Sequence, residues 1–485
     1  MTAEHFLTPV YDAKSVKAWE QRWFELGNQS FGLMQQAALA MANTLKSRLK
    51  AGSRLCIWCG SGNNGGDGYL LGVYLSSWYQ VHIYQVATPS STDAIQAQQI
   101  AKNTLPITNH PVSADVHIDA MFGNGLMRPL SDAWCDVIEQ FNAADGQKIA
   151  IDLPTGLHPD TGIPLPKCVS VDMTLCLMGY KAGLLMGHAK SHVGQIINHP
   201  LIPADNQLSP IASIDNTLPR LVRHTQHSHQ HKGNYGSVMV VGGCATMGGA
   251  VIMSAEAAIK TGAGRVTVMT HPAHHAAILA RSPNLMLGDI HHICPKQLSA
   301  MTAVCLGMGL GRDLWSERVF DEWLAALMDL PITVVLDADG LWHLGHDKYQ
   351  GIRLPSHFIG TPHHAEAGRL LGISADTVES DRIAAIKALQ HRYGGQWLLK
   401  GANSLTIDDQ ANVRICTLGN AAMATAGMGD VLSGMMAGIL AQAPTTTIAA
   451  ITALHAHCGD LLAKDSLVVD VNQMAVVANR LLAEF

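Results

Sequence analysis

A run of ten residues after a short apolar segment constrains the fold of this chain more than any other feature. Residues 59–68, CGSGNNGGDG, contain five glycines and two asparagines and follow the apolar run Leu55–Trp58. A simple turn needs one or two glycines, so this stretch indicates backbone in close approach to another group. Gly66–Tyr79 is predicted to be a helix. A strand, a glycine loop and a helix in this order are typical of parallel α/β sheets, where such a loop either binds phosphate or forms a structural turn.

The rest of the chain repeats this alternation of β-branched runs and amphipathic segments. At 485 residues the chain exceeds the size of one hydrophobic core, so we predict an α/β fold with two domains. A helix is predicted over Asn28–Leu49, and another begins near Gly249 and is stopped by Gly262 and Gly264. The clearest strands are predicted at Arg54–Cys59, Val81–Val86, Val116–Ile118, Lys148–Ile151, Ser170–Leu175, Ser237–Val241, Arg265–Met269, Ala303–Leu306, Thr333–Leu336 and Trp397–Leu399.

The segment Pro200–Lys232 separates the two halves and is rich in Pro, Asn, Gln, Ser and His. Its lack of helical periodicity predicts a linker, with one domain over residues 1–215 and the other over residues 225–485. The linker histidines have no cysteine or acidic companion, so a solvated segment is favoured over a metal site. They are His224, His227, His229 and His231.

Composition excludes several classes of function. The formal net charge of −6 leaves no basic footprint for nucleic acid. The chain contains no signal-peptide pattern at its start and no apolar run of about 18 to 20 residues, so we expect no membrane span. Ten scattered cysteines fit a reducing, cytoplasmic setting. Cys56 and Cys59 form a CxxC pair, but both lie in an apolar strand and lack the second pair of a zinc site.

Two predicted strands of the first half each end in an aspartate. Asp119 precedes the Gly-Asn-Gly turn of AMFGNGLMRP, and Asp152 precedes LPTGL. The carboxyl ends of parallel strands meet at one edge of a sheet, where ligands bind. An aspartate at such a place either serves the site or caps the following helix, and the sequence leaves both readings open.

A comparable signal lies in the second half, in ATAGMGDVLSGMMAGIL, residues 424–440. Gly427 and Gly429 free the backbone just before a helix that is predicted to begin near Asp430. Backbone N–H groups at a helix start form an anion hole, which the helix dipole deepens. Asp430 is either a helix cap or a base that removes a proton from a hydroxyl while the hole stabilises transferred phosphate.

The N-terminal segments GSGNNGGDG, DAMFGNGL and DLPTGL resemble the signature segments of NAD(P)H-hydrate epimerases, over about residues 1–215. The resemblance implies a Rossmann-like three-layer domain and a potassium ion held by Asn64, Asp119 and Thr155. The family usually has Ser in place of Thr155, and both residues offer a hydroxyl. The residues implied to bind the hydrated dinucleotide are Asn63, Asn64, Gly65, Gly66, Asp67, Gly123, Asn124, Gly125, Leu126, Met127, Arg128, Pro129 and Asp152.

The second half resembles ADP-dependent NAD(P)H-hydrate dehydratases of ribokinase-like α/β/α fold, over about residues 225–485. The resemblance rests on HKGNYGSVMVVGG, GGAVIMSAEAAIKTGAGRVTV, LGMGLGRD, VLDADGL, TPHHAE, LLKGANS and GMGDVLSG. Asp430 would be the catalytic base. Met428 and Ser404 stand where the family commonly has Thr. The implied nucleotide-binding residues are Lys400, Gly401, Ala402, Asn403, Ser404 and Gly429, and the implied substrate contacts are Ala250, Gly309, His363 and Asp430.

Together the two resemblances imply repair of hydrated NADH and NADPH. The first domain would interconvert the R and S forms of NADHX and NADPHX, by ring opening or by water loss and re-addition, with Asp119 or Asp152 assisting. The second would dehydrate the S form with ADP, giving AMP and phosphate. Mg²⁺ would shield the phosphates, through ligands that the sequence does not assign. Adjacent His363 and His364 are interpreted as substrate contact or loop residues rather than a metal pair.

Two other classes of function remain as alternatives. The chain could be a ribokinase-like small-molecule kinase that leaves a stable phosphorylated product. The N-terminal domain could be a non-catalytic, RNA-associated module, but Asp67, Asp119 and Asp152 are all present and the net charge is negative. The repair interpretation is therefore favoured, with adenine nucleotide as partner and homo-oligomerisation expected.

Overall fold

The structure is a computed structural model that describes residues 7–221 and 231–484. The described residues form two compact units. One is Pro9–Ala212, and the other comprises the residues from Ser213 onward together with Leu7 and Thr8. The predicted linker histidines His224, His227 and His229 lie outside the described residues.

The N-terminal unit contains a parallel seven-stranded sheet in the order β4-β3-β2-β5-β6-β7-β9, and β1 pairs in parallel with β8. The strands are β1 (Thr8–Tyr11), β2 (Arg54–Cys59), β3 (Gln80–Gln85), β4 (Ile107–Thr108), β5 (Val116–Ala120), β6 (Gln147–Ile151), β7 (Met173–Leu177), β8 (Tyr180–Lys181) and β9 (Gln195–His199). The helices are α1 (Ala13–Glu25), α2 (Ser30–Lys46), α3 (Asn63–Leu75), α4 (Thr92–Lys102) and α5 (Asp132–Ala143).

Strand β2 shows why this sheet is covered on both faces. Its successive side chains point to opposite sides, and all of them after Arg54 are apolar and buried. Ile57 packs in the core that includes α2 and α3, whereas Trp58 packs in a separate core against Phe141 of α5. The N-terminal unit is therefore a three-layer α/β domain, as the sequence predicts.

The C-terminal unit contains a sheet in the order β13-β12-β11-β14-β15-β16-β17-β18-β19-β10. It is parallel from β13 to β17, and antiparallel pairs join β17 to β18 and β18 to β19. The strands are β10 (Ala212–Ile214), β11 (Ser237–Val241), β12 (Arg265–Thr270), β13 (Met286–Asp289), β14 (Ala303–Leu306), β15 (Thr333–Leu336), β16 (Leu354–Gly360), β17 (Gly394–Leu399), β18 (Leu405–Ile407) and β19 (Val413–Ile415).

The helices of this unit surround the sheet, and one of them is buried almost completely. They are α6 (Gly248–Lys260), α7 (His275–Arg281), α8 (Pro295–Leu298), α9 (Leu314–Leu327), α10 (Asp339–Leu344), α11 (His364–Leu371), α12 (Ala375–Ser380), α13 (Arg382–Tyr393), α14 (Met428–Leu440), α15 (Ile448–Leu462) and α16 (Val471–Glu484). Every residue of α14 from Val431 onward is buried. A Cβ on Gly434 would lie 2.0 Å from the Ser254 carbonyl oxygen, so glycine permits this close packing of α14 on α6.

Both units are α/β, and the predicted fold class is confirmed. Several predicted bounds are wrong. Helix α3 begins at Asn63 and ends at Leu75, rather than spanning Gly66–Tyr79, and β7 begins three residues after the predicted Ser170. The predicted linker also contains a strand, β10, which pairs with β19. Its Pro- and Asn-rich surroundings hide a three-residue strand, because so short a strand has no detectable periodicity.

No helix in the described parts of the chain has the length and apolar character that crossing a bilayer requires.

Candidate active sites

The glycine-rich loop after β2 is shorter than predicted, and its glycines mainly serve packing. A Cβ on Gly60 would lie 2.0 Å from the Met121 carbonyl oxygen, and one on Gly65 would lie 2.2 Å from the Gly60 carbonyl oxygen. Both positions therefore exclude any side chain. The backbone in close approach is largely the protein's own, and it brings the start of α3 against the ends of β2 and β5.

A cavity of about 430 Å³ opens beside the start of α3. This volume suits one small ligand or part of a dinucleotide. Its lining includes many of the predicted substrate residues, namely Asn63, Asn64, Asp67, Gly123, Asn124, Gly125, Leu126 and Asp152. Other predicted substrate residues do not line it, namely Gly65, Gly66, Met127, Arg128 and Pro129.

Asp119, at the end of β5, is fully buried and bonded to the loops around it. Its Oδ1 accepts hydrogen bonds from the Thr155 hydroxyl at 2.7 Å and the Met121 N–H at 3.0 Å, and its Oδ2 accepts one from the Thr155 N–H at 2.7 Å. Burial raises the pKa of Asp119 to about 6 despite these bonds. Asp119 does not cap a helix; it holds the Thr155 loop in place.

Asp152, after β6, faces the cavity from a strained position. Its φ of +66° is left-handed, which costs a non-glycine residue about 1–3 kcal/mol. Four contacts over-determine this conformation: Lys181 Nζ forms an ion pair with Oδ1, the Asn124 N–H donates to Oδ2 at 3.0 Å, the Leu177 N–H donates to Oδ1 at 3.4 Å, and the Asp152 N–H donates to the Leu175 carbonyl at 2.8 Å. Asp152 does not cap a helix either, so both aspartates shape loops at this edge of the sheet.

Sequence reasoning missed Lys181, which is 1% exposed. Its ammonium contacts the Asp152 carboxylate and also donates to the Leu177 carbonyl at 2.5 Å. Taking a lysine out of water is costly unless it is paired, so the Asp152 carboxylate stabilises the charged form of Lys181. The signal in the sequence is a lone lysine in the otherwise apolar stretch LCLMGYKAGLLMG.

The predicted potassium ligands fit such an ion by their chemistry. All of them are oxygens, which hard cations prefer. Asp119 and Thr155 are hydrogen-bonded to each other, and the Asn64 amide nitrogen lies 3.4 Å from the Ile151 carbonyl oxygen. The Asn64 Oδ1 is buried and accepts no hydrogen bond from a described residue. A buried acceptor without a donor is where a cation can bind.

In the C-terminal unit, α14 begins with no side-chain cap. Gly427 occupies the N-cap position with a φ of +90°, and no side chain accepts a bond from the first turn. A Cβ on Gly427 would lie 2.5 Å from the Met253 sulfur, so the conformation and the space both favour glycine. Asp430 lies in the first helical turn and does not cap the helix. This decides against the helix-cap reading of Asp430 and leaves the first-turn N–H groups available to an anion.

Charged side chains gather around Asp430 at the carboxyl edge of the sheet. The Lys400 Nζ lies 2.7 Å from Asp337 Oδ1 and 3.9 Å from Glu366 Oε2. The other oxygen of Asp337 accepts a hydrogen bond from the Ser433 hydroxyl at 2.7 Å. Lys400, Asp337 and Glu366 follow β17, β15 and β16, which are neighbours in the sheet. Parallel topology thus brings residues distant in sequence to one place.

This environment changes the proton affinity of two carboxyl groups. Burial, reinforced by the negative charge of Asp337, raises the pKa of Asp430 to about 7. Burial also raises the pKa of Glu366 to about 7, against the opposing effect of Lys400. A carboxyl group with a pKa near neutrality can accept and release a proton under physiological conditions. Sequence reasoning missed Asp337 and Glu366, although both lie in the quoted segments VLDADGL and TPHHAE.

The predicted nucleotide loop, Lys400–Ser404, follows β17 in an unusual backbone conformation. Gly401 has a φ of +152° and Asn403 a φ of +55°. The guanidinium of Arg382, a residue 1% exposed at the start of α13, donates to the carbonyl oxygens of Leu399, Lys400 and Ala402. Arg382 therefore holds the loop, and sequence reasoning missed it.

The other three predicted substrate contacts of this unit, besides Asp430, are Ala250, Gly309 and His363. Gly309 has a φ of +57°, and a Cβ there would lie 3.0 Å from the Ala250 Cβ. Gly309 and Ala250 are thus neighbours. His363 is the N-cap of α11; its Nδ1 accepts the N–H groups of Ala365 and Glu366, and its own N–H donates to Glu366. Burial and nearby Lys400 lower the pKa of His363 to about 4, so its ring is neutral at neutral pH.

Both halves of the chain match known protein families. Residues 30–183 match the family described as YjeF-related protein N-terminus, and residues 238–479 match the family described as NAD(P)H-hydrate dehydratase. A bifunctional NAD(P)H-hydrate repair enzyme of Vibrio cholerae is 36% identical over 475 residues, which cover 94% of each chain. This chain belongs to the family of bifunctional NAD(P)H-hydrate repair enzymes. Members from Coxiella burnetii and Escherichia coli are 33% and 30% identical, covering 93% and 90% of this chain and 94% and 86% of theirs.

The matched ranges place both sites inside the repair-enzyme family's two domains. The N-terminal match contains the cavity-lining segment at α3 and both Asp119 and Asp152. The C-terminal match contains Lys400 and Asp430. Helix α1, which also lines the N-terminal cavity, precedes the matched range.

Proposed function

We propose that this chain repairs hydrated NADH and NADPH by two activities. The N-terminal unit, predicted over residues 1–215, interconverts the R and S forms of NADHX and NADPHX. The C-terminal unit, predicted over residues 225–485, dehydrates the S form at the expense of ADP. The observation that carries the proposal is the Asp430 carboxyl at the uncapped start of α14, beside the Lys400–Asp337 ion pair.

Dehydration requires a better leaving group than hydroxide. Asp430 accepts the proton of the ring hydroxyl while that oxygen attacks the β-phosphorus of ADP, and AMP departs with the electron pair of the broken P–O bond. Phosphate then leaves C6 with the electron pair of the C–O bond, a proton passes from C5 to water, and the ring double bond is restored. The N–H groups at the start of α14 and the Lys400 ammonium stabilise the negative charge of the transferred phosphate.

The nucleotide is bound by Gly429 and by the loop Lys400–Ser404, in which Ser404 donates its hydroxyl to the Gly401 carbonyl at 3.1 Å. Ala250, Gly309 and His363 contact the hydrated nicotinamide. The neutral His363 ring adds no positive charge there, so Lys400 is the cation that faces the phosphates.

Epimerisation takes place in the N-terminal cavity, where the dinucleotide is held by the residues of the Asn63–Asp67 and Gly123–Pro129 segments that line it. Asp152 is the aspartate that contacts substrate, because it lines the cavity, whereas Asp119 is 0% exposed and bonded to its neighbours. Asp119 acts on the reaction through Thr155 and the loop that both residues hold.

Two metal ions are part of the proposal. Potassium is held by Asn64, Asp119 and Thr155. Two observations support this site: all three ligands offer oxygen atoms, and the buried Asn64 Oδ1 accepts no hydrogen bond from a described residue. When bound, K⁺ supplies positive charge beside the cavity. Mg²⁺ binds together with the nucleotide phosphates, because this ion is usually held by substrate phosphates and only one or two protein ligands.

The cellular setting and assembly complete the proposal. All ten cysteines are free, and eight of them are buried, which supports a cytoplasmic, reducing setting. We expect a homo-oligomer, which light scattering of the purified protein tests.

The decisive experiment incubates purified protein with mixed hydrate epimers, with and without ADP, and follows recovery of NADH absorbance. We expect complete recovery with ADP and none without it. A stable phosphorylated product from ATP, with no recovery of NADH, would instead identify a small-molecule kinase.

The substitution Asp430→Asn tests the assigned base. It removes the proton acceptor with little change of volume, so we expect dehydration to fall by about 100-fold or more while epimerisation persists. Asp376→Asn is a matched control, because Asp376 is an exposed acid in the first turn of another helix, α12. Dehydration by the Asp430→Asn protein near the wild-type rate would refute the assignment.

A further inference from the structure

The N-terminal cavity has a wall that the family match does not include. Helix α1 precedes the matched range 30–183 and places Val16, Lys17 and Glu20 in the lining of the cavity. Val16 and Glu20 are four residues apart and therefore lie on one face of the helix. Val16 is 1% exposed and anchors that face in the core. The anchored face carries the carboxyl group of Glu20 into the cavity.

The acidic residues around this cavity differ in how far their carboxyl groups are already engaged. Asp152 is bound by Lys181 and by two backbone N–H groups, and Asp119 is buried and bonded to Thr155. The Glu20 carboxyl makes no hydrogen bond or salt bridge with any residue in the described ranges 7–221 and 231–484. Unlike Asp152 and Asp119, Glu20 lines the cavity without holding a neighbouring segment of the described chain in place.

Asp67 also lines the cavity, and its carboxyl group likewise makes no hydrogen bond or salt bridge with a described residue. The pKa shifts of Glu20 and Asp67 differ in size. Burial, with repulsion from Asp152, raises the pKa of Glu20 to about 7, while Lys181 and Lys17 oppose the rise. Deeper burial raises the pKa of Asp67 well above its usual value. Glu20, with a pKa of about 7, can exchange its proton near neutral pH.

We propose that Glu20 is the second proton-transfer residue of the epimerase site, paired with Asp152. This inference rests on the proposed function of the same cavity. It assigns a catalytic role to a helix that precedes the matched family range.

The pair satisfies the proton balance of epimerisation by ring opening. Carbon C6 of the hydrated ring carries a hydroxyl and is bonded to N1. Asp152 accepts the hydroxyl proton, the N1–C6 bond breaks with its electron pair going to N1, and Glu20 donates a proton to N1. The product is an open-chain aldehyde, with no atoms lost. Rotation about the bond to C6 exposes the other face of the aldehyde, and the reverse transfers close the ring as the opposite epimer.

The test compares Glu20→Gln with the full-length wild-type chain, using purified R hydrate and following formation of the S hydrate by chromatography. Glutamine keeps the shape of a protonated glutamate but gives up no proton. We expect the epimerisation kcat to fall between about 100-fold and 10,000-fold, while ADP-dependent dehydration of the S hydrate and the melting temperature stay unchanged.

The matched control is Glu25→Gln, an exposed acid on the same helix that does not line the cavity. Glu25→Gln is expected to epimerise at the wild-type rate. Glu20→Asp provides a second variant that keeps a carboxyl group one methylene shorter, and we expect a rate between those of wild type and Glu20→Gln. The wild-type kcat should also decline above a pH of about 7, where Glu20 loses its proton, and Glu20→Gln should lack that decline.

Each failure has its own signature. If wild type epimerises and Glu20→Gln retains a kcat within threefold of it, Glu20 is not a proton-transfer residue, and the proposed function stands. If wild type itself does not exceed the uncatalysed rate, the proposed epimerase function fails. Should Glu20→Gln unfold, a Glu20→Asp protein that keeps both its melting temperature and the full wild-type rate and pH profile would overturn the inference.

Discussion

Asp430 illustrates how a single side chain acquires its reactivity from its neighbours. Its carboxyl is partly withdrawn from water and lies near the negative charge of Asp337, and both effects favour the protonated form. Lys400 opposes them but is already paired with Asp337 at 2.7 Å. The outcome is a carboxyl group with a pKa of about 7, which suits the proposed role of Asp430 as a base near neutral pH.

A pH dependence follows from this pKa. In the proposed role Asp430 acts as a base only when ionised, and below a pH of about 7 its ionised fraction falls about tenfold for each pH unit. We therefore expect the kcat of dehydration, measured at saturating ADP and S hydrate, to fall along an acid limb of unit slope with its midpoint near 7. A kcat that stays flat down to pH 5 would contradict the role of Asp430.

The position of that limb can be shifted through Asp337. Replacing Asp337 by Asn removes a negative charge that raises the pKa of Asp430, and it releases Lys400 from its ion pair. Both changes stabilise the ionised Asp430, so we expect the acid limb to move to lower pH, whatever happens to the maximal rate. The measurement is the pH profile of kcat. A shift to higher pH would show that another group sets the limb.

Functional residues that lie in a local sequence motif can be predicted from the sequence, whereas residues that depend on a partner distant in the sequence cannot. Asp430 is recognisable because glycines precede it and a helix follows. Lys181 is separated from Asp152 by 29 positions, and Asp337 from Lys400 by 63, so only the folded sheet brings each pair together. Burial of a charged side chain is likewise a property of the fold and not of any short segment.

At the scale of elements, hydrogen bonds from Arg382 join the start of α13 to the loop after β17. The loop turns its carbonyl groups toward the start of α13, where the planar guanidinium of Arg382 offers several donors in fixed directions. Its Nη2 lies 3.3 Å from the Leu399 carbonyl oxygen and 3.4 Å from that of Lys400. A Cβ on Gly401 would lie 2.7 Å from the same nitrogen, so the loop and the arginine fit only when this position is glycine.

We expect Arg382→Met to weaken nucleotide binding without removing the catalytic base. The carbonyl groups left unpaired cost about 1–3 kcal/mol each, which loosens the loop and should lower the melting temperature of the protein. The KM for ADP should rise by tenfold or more, with a smaller effect on epimerisation. Steady-state kinetics and thermal unfolding provide the measurements.

Arg392→Met is the control for that substitution, because Arg392 lies on the same helix, is exposed, and contacts only the ring of Tyr393 among the described contacts of its guanidinium. Equal effects of the two substitutions on the KM for ADP would show that Arg382 has no special hold on the loop.

Element boundaries show which local signals mislead. The prediction starts α3 at Gly66, yet the helix begins at Asn63 and so includes Gly65 as well, although glycine weakens helices. Each early glycine of α3 is retained by close packing: a Cβ on Gly68 would lie 2.5 Å from the Ala120 Cβ. Tertiary packing therefore overrides helix propensity here. Strands such as β11 and β14 match the prediction, because four or five consecutive buried residues leave a clear signal.

At the scale of the whole molecule, each of the two units has its own hydrophobic core and its own candidate active site. The N-terminal unit has cores on both faces of its sheet and its own cavity, and the C-terminal unit has a core centred on α14 and its own charge cluster. Length and alternation suffice to predict two α/β units. The observed change of unit at Ser213 lies inside the stretch predicted as linker.

This organisation leads to a prediction about complementation between two defective proteins. Asp119→Ala removes the partner of Thr155 and Met121, so epimerisation is lost while Asp430 and its surroundings stay intact. Given mixed epimers and ADP, this protein should rapidly recover NADH from the S fraction alone. Asp430→Asn should recover NADH at least about 100-fold more slowly than wild type. Mixing the two proteins should restore complete recovery. The Asp430→Asn protein converts the R hydrate to the S hydrate, which it releases, and the Asp119→Ala protein dehydrates the released S hydrate.

The rate of NADH recovery by the mixture, compared with wild type at equal concentration of each active unit, is the measurement. If substrate diffuses freely, the mixture equals wild type, whatever the reason that Asp119→Ala lost its activity, including local unfolding of the N-terminal unit. Recovery that stops at the S fraction would mean that an epimer is usable only on the chain that formed it. That result would make the covalent link between the two units part of the mechanism, rather than a means of producing both activities in equal amounts.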